Sequence, residues 1–319
     1  MVDLHIWLAE ENSSYLDFLR IVEIWATPRL QQGIHSGYTD HTIQHSKRIV
    51  EYLGALNDSL PSDNRLCAPE VCVLIAAAYV HDIGMQDQRT TGLDDIRSTH
   101  HTLSGDLMRE LAEHSANSPL LSIPEPFPVI FEMIGQVAEG HRKIDLNDKS
   151  YDDVEIGGNK IRLRLLSALL RLADELDMDY RRAPMEMIDL QNYPPETLIH
   201  WFKSNYISSI QVSNNQITIH YQFPLNKEKD YLRIFDHLVG DKIKYALVEL
   251  QQIFRDYGLY IQIAYPKYRE WSGIGDLPED VLALAISEAT ELAQSDRDYL
   301  RTKEDINFLS QYSTSNTGS

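Results

Sequence analysis

The fold is determined by one stretch, residues 76–84, which reads Ala-Ala-Ala-Tyr-Val-His-Asp-Ile-Gly. Residues 71–80 are almost wholly apolar, which predicts a helix that is buried on nearly all sides. Burying the imidazole of His81 and the ionised carboxylate of Asp82 costs free energy unless a partner compensates them, and a divalent metal would do so. Imidazole and carboxylate are ligands of Zn, Mn, Fe, Ni and, less readily, Mg. Because adjacent helical residues point about 100° apart, this pair needs further ligands from other helices.

Composition and charge narrow the class of protein. The chain has 319 residues, of which 43% are hydrophobic and 24% charged, as in ordinary soluble globular proteins. Its net charge of −19 makes broad attraction to nucleic acid or an anionic membrane unexpected, although a local basic patch stays open. Cys67 and Cys72 are too few for a disulfide scaffold and indicate a reduced, cytoplasmic setting. We expect neither a signal peptide nor an apolar stretch of about 18–20 residues that would span a membrane.

The first part of the chain, residues 1–185, is predicted to be an all-α bundle without a sheet. The spacing of apolar residues, with capping residues and prolines near the ends, predicts helices over 13–30, 40–53, 69–84, 96–114, 129–137 and 161–177. The acidic, glycine-bearing segment 144–158 is interpreted as a loop. The leucine-rich helix over 161–177 is expected to be buried, and like the central helix it ends in carboxylates.

The sequence pattern changes after Pro184. Alternating apolar and polar residues predict a hairpin and one further strand around a long amphipathic helix, which together form a β-β-α-β module. The predicted strands are 207–212, 216–221 and 260–265, and the predicted helix is 228–256. We therefore predict a mostly α protein with a smaller C-terminal α+β module and a terminal helix. Its parts are a helical domain over 1–190, an accessory module over 191–272, and a linker, helix and disordered tail over 273–319.

The helical part carries metal-ligand residue types in a definite order: His45, His81-Asp82, His100-His101, His141 and Asp174. This order resembles the HD superfamily of metal-dependent phosphohydrolases over about residues 35–182. The matching pieces are Thr42-Ile43-Gln44-His45-Ser46-Lys47-Arg48-Ile49, His81-Asp82-Ile83-Gly84 and Leu172-Ala173-Asp174-Glu175-Leu176-Asp177. An ordered set on predicted helices with compatible spacing is more specific than any one piece. The resemblance implies an HD-domain helical bundle.

Three further sequence segments indicate which groups within the HD superfamily the chain resembles. They are His100-His101-x-x-Ser104, Gly140-His141-Arg142-Lys143 and the segment 171–177. They resemble the C-terminal HD domain of exopolyphosphatase/guanosine-pentaphosphatase proteins. They also resemble stand-alone HD proteins predicted to act in bacterial conflict systems. We favour the second group, because it has a similar αβ tail and so matches more of the chain.

The resemblance implies a divalent metal, one ion or two per chain. One ion would be held by His45, His81, Asp82 and Asp174. In two-metal members the residue matching Asp82 bridges, and histidines matching His101 and His141 hold the second ion. His101 is preferred to His100 because Gly105 lies four residues further on, as in the HD-GYP phosphodiesterases. The chain departs from those enzymes at two positions, with Arg142 in place of a histidine and Met85 in place of a lysine.

A bound divalent metal lowers the pKa of water and shields phosphate oxygens, which suits hydrolysis of a phosphate ester. Asp82 is the central catalytic residue in this interpretation. Arg97, Arg142 and Lys143 are the candidates for holding phosphate, although surface cations are more often simply solvated. Glu139 or Asp177 would orient ligands or accept a proton. His45, His100, His101 and His141 have the alternative of being ordinary surface residues. His41, one turn before His45, is expected either to support a ligand from behind or to lie on the surface. The histidines interpreted as structural are His5, His35, His114, His200, His220 and His237.

Three functions stay open at this point. The first is a metal-dependent phosphohydrolase acting on a nucleotide or a similar small phosphorylated substrate. The second is an HD-type phosphodiesterase or nuclease effector of a bacterial defence system, with long nucleic acid disfavoured by the acidic charge. The third is a non-catalytic, metal-bound sensing or scaffold protein that meets a protein partner or a second copy through the C-terminal module. No membrane partner is expected.

Overall fold

A computed structural model describes residues 3–31, 39–86, 93–115, 127–142, 144–184, 193–291 and 294. The helices of its first part are α1 (Leu4–Glu11), α2 (Ser13–Leu30), α3 (Ile43–Ser59), α4 (Ala68–Val80), α5 (Leu93–Ser115), α6 (Phe127–Glu139) and α7 (Leu163–Leu176). The later helices are α8 (Pro195–Asn205), α9 (Glu228–Phe235), α10 (Lys242–Asp256) and α11 (279–291). The strands are β1 (Val154–Ile156), β2 (Asn159–Ile161), β3 (Ile207–Ser213), β4 (Gln216–Phe223), β5 (Gln262–Ile263) and β6 (Lys267–Glu270). The predicted class, mostly α with a smaller C-terminal α+β module, is confirmed.

The central helix α4 is surrounded by other helices. Every residue from Pro69 to Val80 is buried, and α4 contacts α1, α2, α3, α6 and α7. Glu70 fixes its first turn, because its carboxylate accepts from the backbone N–H of Cys67 and from both the backbone N–H and the guanidinium of Arg162. Arg162 directly precedes α7. One buried carboxylate therefore joins the starts of the two helices whose other ends carry His81 and Asp174.

The stretch Ala68–Gln86 meets the length and composition of a membrane-spanning helix, so the expectation of no such stretch was wrong. In the fold, 94% of its most apolar window is buried inside the protein. Its apolarity is explained by this burial, since a core helix needs the same composition.

The prediction that residues 1–185 contain no sheet was also wrong. Strands β1 and β2 form a short antiparallel hairpin within and just beyond the segment that was interpreted as a loop. Its turn is Gly157-Gly158, with φ of +56° and +79°, a conformation that glycine adopts without steric cost. Ile161 is buried in β2, so α7 begins at Leu163 instead of at 161.

The C-terminal module has the predicted hairpin and helix, and it has two short strands, β5 and β6, in place of the one strand predicted over 260–265. β3 and β4 pair antiparallel around Asn214-Asn215, both with positive φ, and β5 and β6 each pair parallel with β4. The helix predicted over 228–256 is α9 and α10 joined by a π-helical segment, Asp236–Asp241. The sequence reasoning did not predict α8, which precedes the sheet. These helices bring the module against the end of α7, because α10 contacts α7 directly.

Candidate metal centre

Four imidazoles on four helices turn the same ring nitrogen toward one carboxylate. His45 lies in the first turn of α3, His81 directly after α4, His100 within α5, and His141 after α6. In each ring Nδ1 faces an acceptor: Asp177 Oδ2 at 2.6 Å from His45, and the backbone oxygens of Ala78 at 2.9 Å, Ile96 at 3.2 Å and Ala138 at 2.5 Å from the other three. A carbonyl oxygen only accepts, so Nδ1 carries the hydrogen and Nε2 faces inward.

Asp82 lies between two pairs of these imidazoles. Its Oδ2 is 3.3 Å from Nε2 of His81 and 3.5 Å from Nε2 of His45. Its Oδ1 is 3.4 Å from Nε2 of His100 and 3.8 Å from Nε2 of His141. Each carboxylate oxygen of Asp82 therefore faces one pair of imidazole nitrogens, so Asp82 could contribute a ligand to either pair.

Asp174, in the last turn of α7, completes the first pair. Its Oδ1 is 3.3 Å from Nε2 of His45 and 3.8 Å from Nε2 of His81. Two sets of donors, His45, His81 and Asp174 on one side and His81, Asp82 and His141 on the other, each have their ligand atoms within 4.8 Å of one another. Four imidazoles and the two carboxylates of Asp82 and Asp174 thus offer nitrogen and oxygen donors to the same small volume.

The residues at this centre fit a divalent metal. Nε2 of His45 and Nε2 of His81 are buried and make no hydrogen bond within the part of the chain that the structure describes. Nε2 of His100 and Nε2 of His141 lie 3.2 Å apart, although each Nδ1 faces a carbonyl. In their neutral forms these two nitrogens are both acceptors and repel each other, so a cation between them relieves the contact. A set of imidazole and carboxylate donors suits Zn, Mn, Fe or Ni.

The electrostatics of the centre keep both carboxylates ionised. Burial alone would raise the pKa of Asp82 and Asp174, but the neighbouring His45 and His81 hold the pKa of both well below its usual value. Burial and the charge of Arg182 would lower the pKa of His45. The neighbouring carboxylates of Asp174, Asp177 and Asp82 outweigh both and raise this pKa to about 10. Burial lowers the pKa of His141. The His45 side therefore attracts a cation, whether a proton or a metal.

Asp177 supports the centre from behind His45. It is fully buried and accepts from Nδ1 of His45 and from Nε of Arg48 at 2.8 Å. Arg48 also donates to Asp40 at 3.0 Å, which fixes its guanidinium. The carboxylate of Asp177 is therefore held between the His45 ring and the Arg48 guanidinium. Metal-bound histidines commonly donate their other N–H to a carboxylate in this way, which fixes the ring orientation.

The contacts favour His100 over His101 as the residue that faces Asp82, contrary to the sequence-based preference. Ser104, four residues after His100, accepts from the backbone N–H of Gly84 at 2.9 Å and donates to the carbonyl of His81 at 2.6 Å. His100 and Ser104 thus share the helix face turned to the end of α4. Gly105, four residues after His101, packs against α6 at Gly135. His101 is buried, with its ring 6.3 Å from that of His141.

A cavity of about 290 Å³ lies over the centre. The side of the cavity that the helical bundle forms is lined by Asp82, His100, Asp174 and Arg142. Lys143 and the side chain of Arg97, both predicted to hold phosphate, lie outside the described residues. Glu139 is paired with Arg109 instead of facing Asp82. Sequence reasoning missed four basic residues that line the cavity, namely Arg182, His200, Lys203 and Lys242.

Arg182 is fixed at the edge of the centre. Its Nη1 donates to the backbone oxygen of Asp177 at 2.8 Å and lies 4.0 Å from Asp174 Oδ1. Its Nη2 donates to Nε2 of His41 at 3.2 Å, while Nδ1 of His41 donates to the carbonyl of Thr39. Burial and the charge of Arg182 lower the pKa of His41 to about 4, so the ring is neutral and serves as the acceptor. The sequence gives one signal for the position of Arg182 beside Asp174, which is that Arg182 follows the 172–177 segment closely in the chain.

A helical bundle in which an HD dipeptide ends the central helix, with histidines from three other helices and an aspartate from a fourth around it, defines an HD-type domain. HD domains are generally metal-dependent hydrolases. The HD-CE family model matches residues 35–243, about two thirds of the chain, and the chain belongs to the HD-CE family. The matched range runs from before α3 to the start of α10 and includes every residue of the centre. No curated protein matches the chain.

Proposed function

We propose that the protein is a cytoplasmic, metal-dependent phosphohydrolase that cleaves a phosphate ester bond of a nucleotide or similar small phosphorylated substrate. The observation that carries this proposal is Asp82, with one oxygen toward each of two imidazole pairs. His45, His81 and Asp174 would hold one ion with Asp82. His100 and His141 would hold a second ion with the other oxygen of Asp82.

When bound, the metal supplies Lewis-acid chemistry: it lowers the pKa of water and neutralises charge on phosphate oxygens. The protein's own residues bind and orient the substrate. Arg142 and Arg182 line the cavity beside the centre, and their guanidinium groups can bind phosphate oxygens through paired N–H donors. His41 and the backbone of Asp177 hold Arg182, so little side-chain entropy is lost when it meets an anion.

The size of the cavity favours a small substrate over a polymer. About 290 Å³ is near the lower end of small-molecule sites, and residues of α8 and α10 form one wall of it. The net charge of −19 also opposes long nucleic acid. These two observations rank a nucleotide phosphohydrolase above a nuclease effector.

The test is hydrolysis by metal-loaded protein of nucleoside mono-, di- and triphosphates, a cyclic dinucleotide and single-stranded DNA, measured as released products. His81→Ala and Asp82→Ala should abolish turnover together with metal binding, because each removes a proposed ligand. His220→Ala, a histidine on the sheet of the accessory module, is the matched control and should retain both. Stoichiometric metal without turnover of any of these substrates would favour the sensing role instead.

A further inference from the structure

The wall of the cavity that belongs to the accessory module carries two lysines that no part of the HD-type centre requires. Lys203 lies in the last turn of α8, and Lys242 is the first residue of α10. Both line the same cavity as Asp82, His100 and Asp174. The cavity therefore has a metal-binding floor and a separate cationic wall.

Lys203 is poorly compensated for a buried cation. Its side chain is only 16% exposed, and its one ion pair within the described residues is with Glu288, at 3.5 Å. An ammonium group has three N–H donors, and a single long contact leaves most of this capacity unused. Burial lowers the pKa of Lys203, and the charge of Glu288 offsets only part of this effect.

Lys242 lies beside an irregularity of its helix. It directly follows the π-helical segment Asp236–Asp241, and Leu238 from that segment lines the same cavity. Single-turn π segments inside α-helices occur frequently at functional sites. Its Nζ pairs with Glu175 at 2.6 Å, and Glu175 directly follows the proposed ligand Asp174.

The balance of charge in the cavity differs from that of the whole chain. Arg142, Arg182, Lys203 and Lys242 line it together with Asp82, Asp174 and Glu175, so cations outnumber carboxylates before any metal is counted. The chain as a whole carries a net charge of −19. Lysines of the accessory module that line the same cavity as the metal-binding carboxylates favour a ligand with more than one anionic group.

We propose that Lys203 and Lys242 form a second anion subsite, which binds a phosphate group of the substrate other than the one at the metal centre. This rests on the proposed function, since it assigns the remote end of the same substrate. The subsite selects ligands with at least two linked phosphate groups over those with one. The alternative is that both lysines only tether the module through Glu288 and Glu175, and the experiment separates the two.

The experiment is calorimetric titration of metal-loaded protein with inorganic triphosphate and, separately, with orthophosphate. Lys203→Gln and Lys242→Gln should each weaken triphosphate binding about tenfold or more, because each removes a charge-assisted contact. Orthophosphate binding should change less than about twofold. Lys229→Gln, an exposed lysine of α9 outside the cavity, is the matched control and should change neither affinity. Lys203→Arg keeps the charge and should retain most of the triphosphate affinity, which guards against a fold defect in Lys203→Gln.

Two results would overturn the subsite: triphosphate affinity that is unchanged in both glutamine variants, or an equal loss for orthophosphate and triphosphate. The test remains informative if the proposed function fails. Selective loss of triphosphate binding in a protein that hydrolyses nothing would support the subsite and reject the hydrolase. Turnover with unchanged triphosphate affinity in both variants would support the hydrolase and reject the subsite. Repeating the titration with a nucleoside triphosphate shows whether a nucleoside adds affinity beyond the phosphate chain.

Discussion

Replacing Asp177 by asparagine should weaken metal binding without removing any proposed ligand. Asp177 is fully buried and accepts from Nδ1 of His45 at 2.6 Å and from Nε and Nη2 of Arg48 at 2.8 and 3.0 Å. Asparagine keeps the shape but has one acceptor oxygen and an NH₂ group. That NH₂ group must face a donor on either His45 or Arg48, so one contact becomes repulsive. The His45 ring is then free to rotate away from the metal.

The size of the effect follows from these contacts. Loss of an outer partner of a metal-bound histidine typically costs about 10–100-fold in metal affinity. That corresponds to about 1.4–2.7 kcal/mol. The metal-free protein should also lose unfolding free energy, because among the described residues Asp40, at 3.0 Å, is then the one carboxylate left beside the buried charge of Arg48. Breaking a buried ion pair costs about 3–5 kcal/mol, and the remaining partner of Arg48 places the loss at the lower end, about 3 kcal/mol.

Two assays separate these effects. Competition with a chromophoric chelator gives the metal affinity, and urea denaturation of the metal-free protein gives the unfolding free energy. The control is Asp179→Asn, since Asp179 is equally buried but pairs with Arg181 instead of a proposed ligand. The reasoning is refuted if Asp177→Asn binds metal as tightly as the wild type, or if Asp179→Asn loses the same affinity.

Further predictions concern the turn after α4 and the protonation of the centre. Gly84→Ala should lower the unfolding free energy by about 1–3 kcal/mol and reduce metal content, because a Cβ at Gly84 would clash with the backbone carbonyl of His100. Urea denaturation and metal analysis would measure both effects, and an alanine variant with wild-type values would contradict this packing. Since the pKa of His45 is raised to about 10, metal must displace a proton from its ring below that pH. Apparent metal affinity should therefore rise as the pH increases from 6 to 9. Calorimetry in buffers of different ionisation enthalpy should detect the released proton, and a pH-independent affinity would count against this protonation.

The helices of the centre could be predicted from sequence because each is locally unusual. An apolar helix that ends in His81-Asp82, and a leucine-rich helix that ends in Asp174, place polar groups where burial is costly without a partner. The hairpin around Gly157-Gly158 had a local signal too. It was missed because its flanking segments are short and the neighbouring residues are acidic.

The choice between His100 and His101 could not be made from spacing alone. The two residues point about 100° apart on α5, and the rotation of that helix is set by tertiary contacts. The deciding contacts are those of Ser104 with the turn at Gly84, which joins segments 20 residues apart in sequence. Sequence spacing suggested Gly105 instead, and Gly105 serves the packing of α5 against α6.

The cationic wall had no local signal at all. Lys203 lies in α8, a helix that was not predicted. Lys242 lies in α10 directly after a π-helical segment, which the sequence pattern did not predict. They reach the cavity only because the accessory module packs against the end of α7. Residues whose role depends on how two distant segments meet are the ones that single-sequence reasoning misses.

The central claim is that Asp82 and its surrounding histidines bind divalent metal. The most direct measurement is an anomalous difference map from a crystal of the protein soaked in Mn²⁺. We expect peaks within about 2.0–2.3 Å of ligand atoms, one at Nε2 of His45 and His81 and one at Nε2 of His100 and His141, with Asp82 contacting both. A saturated crystal with no peak at these atoms would contradict the account.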